Sequence, residues 1–468
     1  MTEPVVRTTS GQVRGEQVAG VSRFLGVPYA AGPVRFAAPA PAPAWPGVRD
    51  ARRPGPTAPQ NHREFPGLDA SVLTGTGWRP GPDYLCADVW TSDTGAGGLP
   101  VMVFVHGGAF VGGTGSASCY DGAAFARNGV VLVTINYRLG IEGWLPVDGA
   151  PANLGLLDQI AALRWVRDNA AAFGGDPDNL TVFGESAGAV SVACLLRSPL
   201  AQGLFRRAIV QSGHAEMVHA PEQAKLLTEH VAGQLGVAPT AEALRTVPVQ
   251  RLLAVQEALA VRGPDLRDAS GAAPAHGIAS FLPVLDEESL PERAEPSTVD
   301  LIVGSCAEEM RLYLVPTGMI DALDEQQAIA MLARTHPEPE AELRRHGLGT
   351  DGRSPGEVLS STMTDLVFAD GARRLAAEHA GRAFCYEFGW RSPQFGGRLG
   401  ACHGVELPFV FDNLAAASGP RGLVGERAPQ ELATQLNRAW VEFAHTGRPG
   451  EVGHSALTWR HVETHSGE

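Results

Sequence analysis

The feature that most narrows the choice of fold is a series of short apolar, β-branched runs: PVMVFV (100–105), VVLVTIN (130–136), LTVFG (180–184), RRAIVQS (206–212), DLIVGS (300–305) and FCYEF (384–388). Runs of this kind belong to strands buried on both faces of a parallel sheet. Helical patterns separate several of them. The clearest spans about Asp158 to Phe173, with Ile160, Leu163, Val166, Ala170 and Phe173 at helical spacing and two glycines as a stop. Another covers about 424–446, with Leu432, Leu436, Trp440 and Phe443 on one face. Strands alternating with helices predict an α/β protein with a central, mostly parallel twisted sheet and helices on both faces. Alternation over residues 5–30 adds small N-terminal antiparallel strands, and AAPAPAPAWPG reads as an extended surface wrap. The helix-prone stretches at about 214–300 and 316–380 are expected to be cap insertions within one domain spanning 1–468.

One of these strands leads into G184-E185-S186-A187-G188 and then the helix-capable AVSVACLLR. A serine framed by glycines at a strand-to-helix turn fits the G-x-S-x-G elbow, which presents a serine hydroxyl at the carboxyl edge of a sheet. A nucleophilic serine needs amide donors for the oxyanion it creates. HGGAF (106–110) follows the strand PVMVFV as a glycine-rich loop, so the amides of Gly108, Ala109 and Ala187 are the candidate donors. A base is expected after the elbow, and His214, His219, His230, His276, His336, His346, His379, His403, His445 and the tail histidines all qualify by position. Placement in a Gly-flanked loop favours His403. For the acid, a strand-end carboxylate is wanted; Glu308 and Glu309 follow DLIVGS, with Asp286 and Asp365 as rivals, and the residues alone do not choose.

Composition excludes other classes. With 51 Asp and Glu against 37 Lys and Arg the formal charge is −14, a field that repels nucleic acid and anionic membrane surfaces. The six cysteines show no CxxC pair and read as free thiols. The N-terminus has no apolar signal-like stretch and the chain has no run of about eighteen apolar residues, so a cytoplasmic setting is expected. Phe65, Phe281, Tyr313 and Phe395 read as core or rim packing.

Taken together, FLGVPYA, GPTAPQ (55–60), HGGAF, NYRLG (136–140), the run from Asn153 to Val192, FLPVLD (281–286), CHGVELPFVF and WVEFAHTGRP stand in the order found in type B carboxylesterases. The chain resembles that family of the α/β-hydrolase superfamily, which includes the cholinesterases and bacterial p-nitrobenzyl esterases. The resemblance implies a serine carboxylesterase that needs no metal or cofactor and acts on small-molecule esters. It also implies the triad Ser186, Glu309 and His403, the oxyanion donors Gly108, Ala109 and Ala187, and tolerance of bulky, even tertiary, alcohols. It further implies a buried ion pair between Arg138 and Asp176, and support of the site by Glu185, Ser191 and Glu406. Acyl transfer, lactone or carbamate chemistry on the same triad is the alternative, and a non-catalytic binding protein a more distant one. Two departures stand out. Met310 occupies the family's glycine after the acid, which is expected to shift the Glu309 loop. Tyr84 stands where relatives with a first disulfide carry cysteine.

Overall fold

The computed structural model describes residues 3–350 and 352–460. Thirteen strands are present among them: β1 (Val5–Thr8), β2 (Gly11–Arg14), β3 (Glu16–Val18), β4 (Val21–Pro28), β5 (Val48–Asp50), β6 (Cys86–Thr91), β7 (Leu99–Val105), β8 (Val131–Ile135), β9 (Gly175–Glu185), β10 (Arg207–Gln211), β11 (Asp300–Cys306), β12 (Ala383–Phe388) and β13 (Leu457–Arg460). Ten of them form one sheet, in the order β13-β12-β11-β10-β9-β7-β8-β6-β4-β3; β1, β2 and β5 form a small separate sheet. The strands from β8 across to β12 run parallel, while β3, β4 and β6 at one side and β13 at the other are antiparallel. The six apolar runs are the six parallel strands, and they are buried on both faces because helices cover each side.

Two helices that contribute to that cover show how their bounds are set. Leu154–Asn169 starts four residues earlier than its apolar period suggests, and its last turn tightens into a 3-10 segment, Ala170–Phe173, ended by Gly174 at φ 85°. Gln430–Thr446 buries Leu432, Leu436, Trp440 and Phe443 and stops at Gly447 (φ 74°), but 424–429, included in the expected helix, is not helical. Pro429 caps the helix, so the period cannot extend back through it. Helices Pro221–Leu235, Ala241–Arg245 and Val249–Arg262 occupy the first helix-prone stretch, and Pro355–Thr364 and Asp370–Glu378 are among those in the second. Among the described residues, no helix is long and apolar enough to cross a membrane. All six cysteines are buried, and Cys86, Cys119, Cys194, Cys306 and Cys402 are free thiols.

The expected ion pair is corrected. Arg138 pairs with Asp158: Nε and Nη2 reach the two carboxylate oxygens at 2.8 and 2.6 Å, and the Arg138 amide adds a bond of 3.0 Å. Both side chains are essentially without solvent, at 1% and 0% exposure, and Nη1 donates to the Ala37 carbonyl at 2.6 Å. Asp176 cannot serve. It lies at the start of β9, whereas Arg138 follows the end of β8, and both strands run parallel to β7, so the two residues occupy opposite edges of the sheet. Its carboxylate accepts instead from the Asp178 amide at 2.9 Å. Removing one partner of a buried pair strands the other charge. Asp158→Ala is therefore expected to lose roughly 3–5 kcal/mol in urea denaturation, and Asp176→Ala less than about 1 kcal/mol.

Candidate active site

The sheet gathers the site at its carboxyl edge, from strands that are neighbours. The strand β9 ends at Glu185, and Ser186 follows at φ 56°, ψ −123°, as the residue that precedes the helix Ala187–Arg197. This strained corner survives because the flanking glycines let backbones touch. A β-carbon on Gly184 would lie 2.6 Å from the Gly188 carbonyl carbon, and one on Gly188 would collide with the Val105 carbonyl. The Ser186 amide donates to the Gln211 carbonyl at 2.9 Å, tying the elbow to β10.

The loop after β7 lies against this corner. A β-carbon on Gly107 would stand 3.1 Å from Ser186 Cβ, and Gly108, Ala109 and Phe110 all have positive φ, of 120°, 53° and 61°. That run turns the chain back so that Val111 and Gly112 both donate to the Gly108 carbonyl. The amides of Gly108, Ala109 and Ala187 donate to no acceptor among the described residues. Gln60, in the GPTAPQ stretch, holds the loop from outside: its side chain accepts from the Gly113 amide at 2.8 Å and donates to the Gly113 carbonyl at 2.9 Å. No local pattern in GPTAPQ marks Gln60 for this role, because its partner Gly113 is far away in the chain.

Glu309 follows β11 and His403 lies in the loop beyond β12. His403 Nδ1 donates to Glu309 Oε2 at 2.5 Å, and the His403 amide donates to the Glu309 carbonyl at 3.1 Å. The other Glu309 oxygen accepts from Ser212 Oγ at 2.5 Å and from the Cys306 amide at 2.7 Å. Ser212 was not anticipated, although its position directly after β10 matches that of Ser186 after β9. Met310 does not displace Glu309 from His403: it precedes the helix Arg311–Leu314 with right-handed backbone at φ −70°, and its amide donates to Thr364 Oγ1 at 3.2 Å, so no glycine is needed there.

On the other side of the imidazole, Nε2 faces the elbow, with Glu185 Oε1 at 3.1 Å. Burial opposes the charge on His403, but the facing carboxylates of Glu185 and Glu309 outweigh it and push the imidazole up to about 9. Glu185 is itself pushed up by burial, and the two residues compete for one proton. Glu406 is raised by burial and by Glu309; it accepts from Cys306 Sγ at 3.0 Å and Gln211 Nε2 at 3.2 Å. Ser191 donates to the Ala187 carbonyl and receives Gln159, which places it in the elbow helix and not beside the imidazole. The rings of Phe368 and Tyr313 pack on His403, with centroids 4.9 and 5.8 Å away.

The rival residues are engaged elsewhere. Glu308 binds Arg311, Arg391 and the Ala401 amide. Asp286 accepts from Asn153 and Ser289, and Asp365 faces His346 and Arg373. His214, His219 and His379 point at the carbonyls of Val367, Ser280 and Val299. His276 stacks on His336, and His445 lies in the last turn of Gln430–Thr446.

Comparison with known proteins places this geometry in context. The model of the carboxylesterase family matches residues 2–468. The chain is 36% identical to a para-nitrobenzyl esterase of Bacillus subtilis, covering 99% of this chain and 94% of that one. It is also 36% identical to a phenmedipham hydrolase of Pseudarthrobacter oxydans, with 96% and 91% covered. Among solved structures, a carboxylesterase of Geobacillus stearothermophilus superposes with a TM-score of 0.81 at 33% identity, covering 97% of each chain. The chain therefore belongs to the carboxylesterase family, with an α/β-hydrolase fold, and is a serine esterase that hydrolyses carboxylic esters.

Proposed function

We propose that Ser186 is the nucleophile, His403 the base and Glu309 the acid, with the amides of Gly108, Ala109 and Ala187 as the oxyanion hole. The observation that carries this reading is the imidazole held between Glu309 on Nδ1 and the elbow on Nε2. Ser186 Oγ attacks the ester carbonyl carbon as His403 Nε2 takes its proton, and the carbonyl oxygen becomes an oxyanion facing the three amides. Collapse breaks the bond to the alkoxy oxygen, which leaves as alcohol with the proton from His403. Water then gives its proton to His403 and attacks the acyl-enzyme, and the acid departs as Ser186 regains its proton. No step requires a metal or cofactor.

The helical segments 214–300 and 316–380 are read as a cap on one catalytic domain, a view supported by Phe368, from the second segment, against the imidazole. Buried free thiols support a cytoplasmic setting. A roomy pocket suited to bulky alcohols is inferred from the Gly-Gly-Ala loop, and measurable turnover of tert-butyl beside ethyl esters would bear it out.

Ser186→Ala is expected to lower kcat on p-nitrophenyl esters by roughly 10³ to 10⁶ without loss of fold, read by steady-state kinetics beside circular dichroism. The base must be neutral to act, so kcat/KM rises as His403 loses its proton. Glu185→Gln removes a carboxylate that holds that proton, and the rising limb of the pH profile should move to lower pH by about one unit. Because the folded imidazole is raised to about 9, its contribution to stability is complete below its ordinary pKa and is lost as pH rises through that raised value.

A further inference from the structure

At the rim of the site stands an arginine that the chemistry above does not use. Arg63 is exposed, and it makes no ion pair or hydrogen bond among the described residues. Many of the arginines in this acidic chain are paired: Arg23 with Glu16, Arg49 with Asp83, Arg311 and Arg391 with Glu308, Arg382 with Asp300. Arg63 is held near the chemistry by its neighbours. Gln60, three residues before, is bonded twice to Gly113. Arg63 Cδ lies 3.8 Å from where a β-carbon on Gly112 would be, against the back of the oxyanion loop. Two residues later, Phe65 packs on Tyr313 with centroids 6.3 Å apart, and Tyr313 packs on His403. Burial and the Glu185 charge push the Tyr313 phenol up, and the positive charge of Arg63 works against them, so that charge is felt inside the site.

The cavity beside Arg63, of about 370 Å³, is lined by His62, Glu64, Asp69, Ser71 and Arg421 among others. Of its two carboxylates, Asp69 is engaged and Glu64 is largely exposed. Asp69 accepts from the amide and hydroxyl of Ser71 and is held down by them and by the Arg421 charge, and Glu64 lies 3.9 Å from His62 Nε2. Arg63 and Arg421 both line this cavity, and neither side chain makes an ion pair or hydrogen bond among the described residues; Asp69 feels the Arg421 charge, whereas Arg63 lies against the loop that carries Gly112. Three buried carboxylates, Glu185, Glu309 and Glu406, lie deeper, so an anionic group is repelled from the floor of the site and is better placed beside the Arg63 charge.

Resting on the nucleophile reading above, we propose that Arg63 is a specificity-determining residue: it pairs with a carboxylate on the substrate and makes the enzyme prefer esters that carry one. The pair would be charge-assisted and partly exposed, so salt should weaken it.

The test compares kcat/KM for p-nitrophenyl hemiesters of succinic, glutaric and adipic acids with neutral p-nitrophenyl esters of matched length. A second arm places the carboxylate on the leaving group, as 4-acetoxybenzoate against its methyl ester. Wild type, Arg63→Ala, Arg63→Lys, Arg421→Ala and Ser186→Ala are assayed at low and high salt. The proposal expects the charged-to-neutral ratio to fall roughly fivefold to twentyfold in Arg63→Ala in at least one arm, with neutral esters within twofold of wild type. Arg63→Lys should keep part of the preference, Arg421→Ala should leave the ratio within twofold, and high salt should lower the ratio only where Arg63 is present. An unchanged ratio in Arg63→Ala in both arms overturns it. So does a parallel fall of charged and neutral esters, which would make Arg63 a support of the oxyanion loop. If Ser186→Ala keeps the wild-type rate on neutral esters, it is the nucleophile reading that fails, and this one with it.

Discussion

Everything at the carboxyl edge of the sheet depends on one close approach: the backbone of the elbow against the end of β7. The helix after Ser186 can start where it does only because Gly188 lets its backbone meet the Val105 carbonyl, and Gly184 lets the strand meet the helix. That contact forces Ser186 into a left-handed conformation that serine adopts only under surrounding constraint. The strain is held in place by a sheet whose central strands β7, β8 and β10 are buried on both faces, and it leaves the serine half-buried at the edge instead of inside the helix. The same approach brings the Gly107 loop against the serine, so Ser186 and the candidate amide donors are set by a single packing event.

The second organising element is the charge around one imidazole. Glu309 and Glu185 face its two nitrogens, and Glu406 lies behind them. Three carboxylates buried together are costly unless protons and hydrogen bonds are shared. The structure shares them: Ser212 and the Cys306 amide satisfy Glu309, while Cys306 and Gln211 satisfy Glu406. Glu185 Oε1 has no hydrogen-bond partner of its own, which leaves His403 as the group that answers its charge. Far from the chemistry, Arg138 and Asp158 solve the same problem by complete mutual pairing.

Much of this was legible in the chain. The six parallel strands were visible because burial on both faces leaves a plain apolar signature, and the elbow because strain demands glycine at fixed places. Other elements left weaker marks. In β6, CADVWT, a buried Asp88 interrupts the apolar run, and β13 consists of four residues paired at the edge of the sheet. Histidine and acid were ambiguous to local reading, since every histidine after the elbow and four carboxylates satisfied the order; only resemblance chose among them. Ser212 and Gln60 act through partners distant in sequence, so no local pattern announces them. The Arg138 partner was misassigned for a related reason: which acid an arginine meets depends on which edge of the sheet each reaches.

By itself, then, the sequence determined the kinds of element and where the strain must sit, because periodicity, β-branching and glycine placement are local properties of a backbone. Tertiary structure decided which groups meet. Glu309 is chosen over Glu308 because one faces His403 while the other is taken by Arg311, Arg391 and the Ala401 amide. Asp158 is chosen over Asp176 because parallel strands carry Arg138 and Asp176 to opposite edges. Pairings of this kind are made across loops of many residues, and only the register of the assembled sheet brings their atoms within hydrogen-bond distance.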